Sequence, residues 1–176
     1  MTVNDSSRQP GRGRYSHAER EQRWLLASVP EGVVAPRTIV DRYITGTTLR
    51  VRAVDDGVER LYKWTQKVRD DVDDPTTVRI TNMYLTKDEY AIVSSLAADE
   101  LTKTRWHWSF GPSTYAVDVF TGRHEGLILA ERELGNDAVG DAPFDVVRDV
   151  TRDDRYSGGR LAACSRDDVV ELLGRR

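Results

Sequence analysis

The chain has 176 residues, 31% of them charged, with 26 Lys and Arg against 29 Asp and Glu for a formal net charge of −3. That length suits one domain with a real hydrophobic core, and the single cysteine, Cys164, excludes an intrachain disulfide scaffold. No apolar run approaches the roughly 18 residues of a bilayer span, no apolar core follows Met1 as a signal peptide requires, and the near-neutral balance lacks the basic footprint of a general nucleic-acid binder. The expectation is a soluble, cytoplasmic protein with no membrane or nucleic-acid partner. Only four of the 26 cations are lysines, and the planar donor fork of arginine suits carboxylate and phosphate oxygens.

Residues 1–13 are polar, without apolar periodicity, and read as a disordered tail; a single domain is expected over 14–176. From there to Leu134, segments rich in Val, Ile, Thr, Tyr and Trp alternate with turn residues. Eight strands are expected near 15–26, 36–44, 48–54, 59–67, 77–85, 103–110, 114–120 and 127–134, with short links that make most neighbours antiparallel. One helix interrupts the run. Thr86 and Glu89 form a capping box, Leu85 and Tyr90 a hydrophobic staple, and the stripe Ile92, Val93, Leu96 and Ala97 is expected to pack on the sheet. A loop follows to about Pro143, and Ser165 to Asp168 opens a last helix ending at Leu173. The fold class is α+β, mainly β.

In a strand, residues i and i+2 share a face. Glu19, Glu21 and Arg23 share one face of the first expected strand, Arg50 and Arg52 of the third, Lys63 with Thr65 and Lys67 of the fourth, and Arg79 with Thr81 and Met83 of the fifth. Lys103, Arg105 and His107 share a face of the sixth, Asp118 with Ala116 and Phe120 of the seventh, and Glu131 with Glu133 of the eighth. A sheet with one solvated face would give such alternation. The aromatics and aliphatics opposite the charges also suit core packed against outer helices, around an eight-stranded antiparallel closed barrel with a polar, charged interior. In that barrel seven cations, Arg23, Arg50, Arg52, Lys63, Arg79, Lys103 and Arg105, would face Glu19, Glu21, Asp118, Glu131 and Glu133. Their segregation suggests a cationic cradle for phosphate oxygens beside a carboxylate cluster for Mg²⁺ or Mn²⁺.

Glu19-Arg20-Glu21-Gln22-Arg23, Leu49-Arg50-Val51-Arg52, Leu61-Tyr62-Lys63, Lys103-Thr104-Arg105, Val117-Asp118-Val119-Phe120 and Leu129-Ala130-Glu131-Arg132-Glu133 follow one another in order. In that order they resemble the CYTH domain, or triphosphate tunnel metalloenzyme, superfamily over about 15–162. The resemblance implies metal-dependent hydrolysis of inorganic triphosphate or a small organic triphosphate inside a cationic barrel. It implies that Arg23, Arg50, Arg52, Lys63, Arg79, Lys103 and Arg105 hold phosphates. Glu19, Glu21, Asp118, Glu131 and Glu133 would hold Mg²⁺ or Mn²⁺, and Glu21, Arg23 and Glu131 would carry the catalytic step. It leaves room for a homodimer. The chain departs from the pattern at Arg23, which replaces the hallmark lysine, and at Thr81, Met83 and Ala116, where glutamates are usual. Retained cations with lost carboxylates are the signature of an alternative, a non-catalytic module that holds a polyphosphate or phosphorylated ligand. A cyclase acting on ATP is a further alternative and needs an adenine pocket.

The remaining chemistry-bearing residues read as structural. His17, His107 and His124 are too scattered for a metal triad, and His124, beside Glu125 in a turn, is expected at the surface. Trp24, Trp64, Trp106 and Trp108 are expected in core or barrel shell, Cys164 is structural, and the acidic run Asp70 to Asp74 is a solvated loop.

Overall fold

The computed structural model describes residues 9–69 and 76–174. The acidic run Asp70 to Asp74 and the first eight residues of the expected tail lie outside the described residues. The rest of that tail is anchored: Gly11 is buried, and its N–H donates to Gln66 Oε1 at 3.2 Å.

Nine strands form in chain order: β1 (His17–Leu25), β2 (Val34–Ile44), β3 (Leu49–Asp55), β4 (Arg60–Val68), β5 (Thr77–Leu85), β6 (Ala98–Phe110), β7 (Ser113–Phe120), β8 (Ile128–Glu133) and the short β9 (Arg148–Asp149). Hydrogen-bonded neighbours run β5-β4-β3-β2-β6-β7-β8-β1-β9, and an additional β5–β1 pairing joins the ends of the first eight. The result is the expected closed antiparallel barrel of eight strands, with β9 as an extra strand on β1. Closure works because β1 divides its length: His17 to Arg20 pair with β5, while Glu21 to Leu25 pair with β8. The β3–β4 and β6–β7 hairpins turn at Gly57 (φ 87°) and Gly111 (φ 55°), in the left-handed region that glycine enters without steric cost.

Apolar residues occupy two separate places. One end of the barrel interior is filled by Leu25, Leu101, Phe120, Leu127 and Leu129, closed from below by Val150, Tyr156, Leu161, Ala162 and Leu172. Outside the barrel, Trp24, Leu26, Tyr115, Val117 and Ala130 are covered by Val29, Val33, Ala142 and Phe144 together with Trp106 and Trp108. The cover there is loop and aromatic side chain, where helices were expected. His124 is also buried, against expectation. Its Nε2–H donates to Leu161 O at 2.6 Å, and this bond satisfies the ring within a short 3₁₀ turn under the plug.

The helices are short. In α1 (Lys87–Val93) the Thr86–Glu89 capping box is present, yet the helix buries no residue: Ile92 is 72% exposed, and Leu96, beyond its end, 45%. Its contact with the barrel is Tyr90, stacked on Tyr62 with ring centroids 4.4 Å apart. Two residues along a helix turn the chain by about 200°, so seating Tyr90 on the barrel sends Ile92 to the opposite side. The α3 helix (Arg166–Leu172) starts at Ser165 as expected, with a Ser165–Asp168 capping box that the structure reveals, and buries Val169 and Leu172. Between Ser157 and Cys164 lies α2 (Gly158–Ala163), not foreseen from the sequence, which buries Leu161 and Ala162 in the plug.

Gly158 sits so close to β2 that a Cβ there would collide with Tyr43 Oη. Gly158→Ala is expected to lower stability by about 1–3 kcal/mol, the cost of overpacking a close approach, measured as the shift of a urea unfolding midpoint.

Candidate functional site

Cross-strand partners share a face, so the ladder registers decide which side chains enter the barrel. The inward sets are Glu19, Glu21 and Arg23 on β1, Asp41 and Tyr43 on β2, Arg50 and Arg52 on β3, and Lys63, Thr65 and Lys67 on β4. They continue with Lys103, Arg105 and His107 on β6, Ala116 and Asp118 on β7, and Glu131 and Glu133 on β8. They surround a cavity of about 440 Å³ whose wall carries seven cations, Arg23, Arg50, Arg52, Lys63, Lys67, Lys103 and Arg105, against four carboxylates, Glu19, Glu21, Glu131 and Glu133. A second cavity of about 570 Å³ adjoins it, sharing Glu21, Arg23, Tyr43, Arg50, Lys67 and Gly158, and reaches the Thr45–Gly46–Thr47–Thr48 turn and the start of α2. Together they make a continuous passage inside the barrel, beside the apolar plug.

The buried charge is paired. Asp41, fully buried, accepts from Arg52 Nε at 2.6 Å and Nη2 at 2.7 Å, and Arg50 Nε lies 3.4 Å from the same carboxylate. Burial would push the Asp41 carboxyl up, but Arg52 and Arg50 hold it well below the usual carboxylate range. Asp118 is held likewise, accepting from Arg105 Nε at 2.6 Å and Nη2 at 2.7 Å and from Lys103 Nζ. Glu131 accepts from Arg23 Nε and from Arg105 Nη2, both at 2.7 Å; burial opposes its ionisation, and Arg23 and Arg105 overcome that opposition. Glu21 accepts from Arg23 Nη2 at 3.2 Å.

Two cations face the cavity without a carboxylate partner among the described residues. Lys63 Nζ lies 5.3 Å from the centre of the Tyr84 ring. Among the described residues Lys67 has no side-chain hydrogen bond or ion pair, and burial, reinforced by Arg50, pushes its ammonium down to about 8.

Of the expected site residues, the passage gathers Glu19, Glu21, Arg23, Arg50, Arg52, Lys63, Lys103, Arg105, Glu131 and Glu133. Asp118 lies behind them, 1% exposed, beneath Arg105 and Lys103. Arg79 is a correction. In the register Lys67 opposes Ile80 and Val68 opposes Arg79, while Glu19 opposes Val78, so Val78, Ile80 and Asn82 point inward and Arg79, Thr81 and Met83 outward. The physical reason is apolar burial: Val78 and Ile80 are buried, whereas Met83 is 57% exposed. The glutamates expected at 81 and 83 would therefore face outward here; Ala116 does line the cavity. Sequence reasoning missed Asp41 and Tyr43, and it did not place Lys67 in the site although Lys67 shares a face with Lys63.

A divalent ion does not find a ready centre. Among the described residues, no group of three or more His, Cys, Asp or Glu side chains could hold a metal ion. Hard cations take about six oxygens, and here the oxygens of Asp118 and Glu131 already accept from Arg105, Lys103 and Arg23.

No protein-family model matches the chain. An inorganic triphosphatase of Acetivibrio thermocellus is 40% identical over 62 residues, which span 35% of this chain and 40% of that protein. The crystal structure of the inorganic triphosphatase NE1496 matches 83% of this chain and 95% of its own at 21% identity, with a TM-score of 0.56. The PH1819 protein of Pyrococcus horikoshii OT3 matches 90% and 94% of the two chains at 15% identity, with a TM-score of 0.50. The barrel is thus a tunnel of mainly β class, open to solvent and lined with charge. Its fold is the triphosphate tunnel fold seen in the NE1496 structure.

Removing Asp41's charge tests the pairing. Asp41→Asn leaves Arg52 and Arg50 buried without a counter-ion and is expected to cost about 3–5 kcal/mol of unfolding free energy by urea titration.

Proposed function

We propose that the barrel binds the triphosphate chain of inorganic triphosphate or a small organic triphosphate in its tunnel and hydrolyses it. The observation that carries this reading is the wall of seven cations against four carboxylates around a cavity of about 440 Å³. Phosphoryl transfer needs mainly positioning and charge neutralisation, which such a wall supplies. Arg50, Arg52, Lys63, Lys67, Lys103 and Arg105 hold phosphate oxygens. The guanidinium planes of Arg52 and Arg105 are oriented beforehand by Asp41 and Asp118. Glu21 and Glu133, direct cross-strand neighbours, form the acidic side of the wall and orient the attacking water. Water adds to the terminal phosphorus as the bridging P–O bond breaks; the terminal phosphoryl group becomes orthophosphate, the diphosphate portion leaves with the bridging oxygen, and one proton of the water stays on the orthophosphate while the other goes to the leaving group. Mg²⁺ or Mn²⁺, which the resemblance implies, would add charge neutralisation, and no step is assigned to it because the carboxylates present do not gather into a centre.

A second reading, a module that holds a polyphosphate without cutting it, is favoured by one observation: the Glu131 and Asp118 oxygens are already taken by arginine and lysine. Orthophosphate release from inorganic triphosphate, measured with Mg²⁺, Mn²⁺ or EDTA alongside calorimetric binding, separates the two. The first reading expects turnover that Glu21→Gln abolishes while binding persists. Lys63→Ala, which orphans no carboxylate, is expected to weaken binding about tenfold, as the loss of a hydrogen bond to a charged group would. Binding without release under every condition selects the module, release of diphosphate with a cyclic nucleotide from ATP would mark a cyclase, and absence of binding rejects the tunnel reading altogether.

Lys67 adds a pH signature. Its charge is present below about pH 8 and is lost above it, so anion affinity is expected to fall as pH rises from 7 to 9. In Lys67→Arg, whose guanidinium stays protonated, that part of the fall is expected to vanish, as read by calorimetry at the two pH values.

A further inference from the structure

We propose that the positive charge a divalent ion would place among the tunnel carboxylates is supplied in this chain by the guanidinium of Arg23, so that the tunnel grips its phosphate ligand without metal. The side chain lies in the acidic part of the wall, 12% exposed, with Nε 2.7 Å from Glu131 and Nη2 3.2 Å from Glu21. It thereby bridges carboxylates on β1 and β8, adjacent strands in which Arg23 directly opposes Glu131 and Glu21 opposes Glu133. The second Glu131 oxygen is occupied by Arg105 at 2.7 Å. A metal entering here would have to displace a bidentate cation from a site where both carboxylates are already neutralised.

The position is also locked from the backbone. Arg23 N–H donates to Thr151 Oγ1 at 3.0 Å, and Val150 N–H donates to Arg23 O at 2.9 Å, which fixes the segment that aims the guanidinium. Residue type matters in the same sense. The hallmark lysine would offer one compact ammonium, whereas arginine offers a planar fork that reaches two carboxylates at once and stays charged throughout the accessible pH range. Glu131 and Glu21 hold the Arg23 guanidinium protonated despite its burial. What remains on the acidic wall is Glu19, which pairs with His17 at 3.1 Å, and Glu133. These do not make up the oxygen set that Mg²⁺ or Mn²⁺ requires.

The ligand in this inference rests on the tunnel reading above, whereas the occupancy of the carboxylates by Arg23 does not, and the test keeps the two apart. Mn²⁺ titration of the ligand-free chain, followed by electron paramagnetic resonance of the free ion, is expected to show no saturable site in the wild type. Arg23→Gln, which uncovers Glu21 and Glu131, is expected to gain one equivalent of bound Mn²⁺. Triphosphate binding by the wild type is expected to persist in EDTA. One equivalent of Mn²⁺ bound by the wild type, no gain in a folded Arg23→Gln, or triphosphate bound with Mg²⁺ but not in EDTA would each overturn the proposal. If triphosphate binds under neither condition, the tunnel reading fails, and the Mn²⁺ titration of the wild type still decides the role of Arg23, also where Arg23→Gln does not fold.

Discussion

The structure depends on the cost of keeping charge inside a closed sheet. An unpaired ion in the barrel interior would cost several kcal/mol, and the chain meets this with three carboxylates that each hold more than one cation: Asp41 under Arg50 and Arg52, Asp118 under Lys103 and Arg105, Glu131 between Arg23 and Arg105. Arg105 belongs to two of these groups, so β1, β6, β7 and β8 are joined across the interior by side chains as well as by their ladders. Asp41 serves β2 and β3 in the same way. These pairs fix the orientation of the guanidinium groups before any ligand arrives, which is the condition for an anion site that loses little in ordering itself.

Pairing of this kind leaves a surplus, and the surplus defines the chemistry. Lys63 and Lys67, both on β4, have no carboxylate partner among the described residues, and both face the cavity. They add positive charge to a passage in which Glu21 and Glu131 are already paired with Arg23. The apolar plug of Leu25, Leu101, Phe120, Leu127 and Leu129 fills one part of the interior, and the passage leaves beside it, past Tyr43 and Gly158. The outer apolar face is covered by Phe144 and its neighbours, Phe144 meeting the rings of Trp24, Trp108 and Tyr115 edge-on.

Strand existence was legible because hydropathy alternates with period two, and β5 was expected with the same bounds that it has. The side that each strand turns inward was legible where charge and apolar burial agreed, as on β1, where Glu19, Glu21 and Arg23 oppose the buried Trp24. They disagree on β5, where following the charge of Arg79 reversed the strand. The correct signal was Val78 and Ile80, whose burial outweighs one arginine that can reach solvent. Asp41 was missed because a lone aspartate in an apolar strand announces nothing until its partners are known. His124 looked like a turn residue, and it is one, but the turn lies beneath α2 and α3, and only their packing shows that its ring is enclosed.

By itself, then, the amino-acid sequence determined the run of antiparallel strands, the Thr86–Glu89 capping box, the start of the last helix at Ser165, and the residue types from which an anion tunnel could be built, because these follow from period and from contacts within a few residues. Tertiary structure alone decided closure through the β5–β1 pairing, the inward face of β5, the pairing of Asp41 with arginines eleven and nine residues away, and the seat of Arg23 between Glu21 and Glu131. Each of these depends on register between strands. A shift of one residue turns every side chain to the other face, and nothing local in the chain fixes that register before the barrel closes.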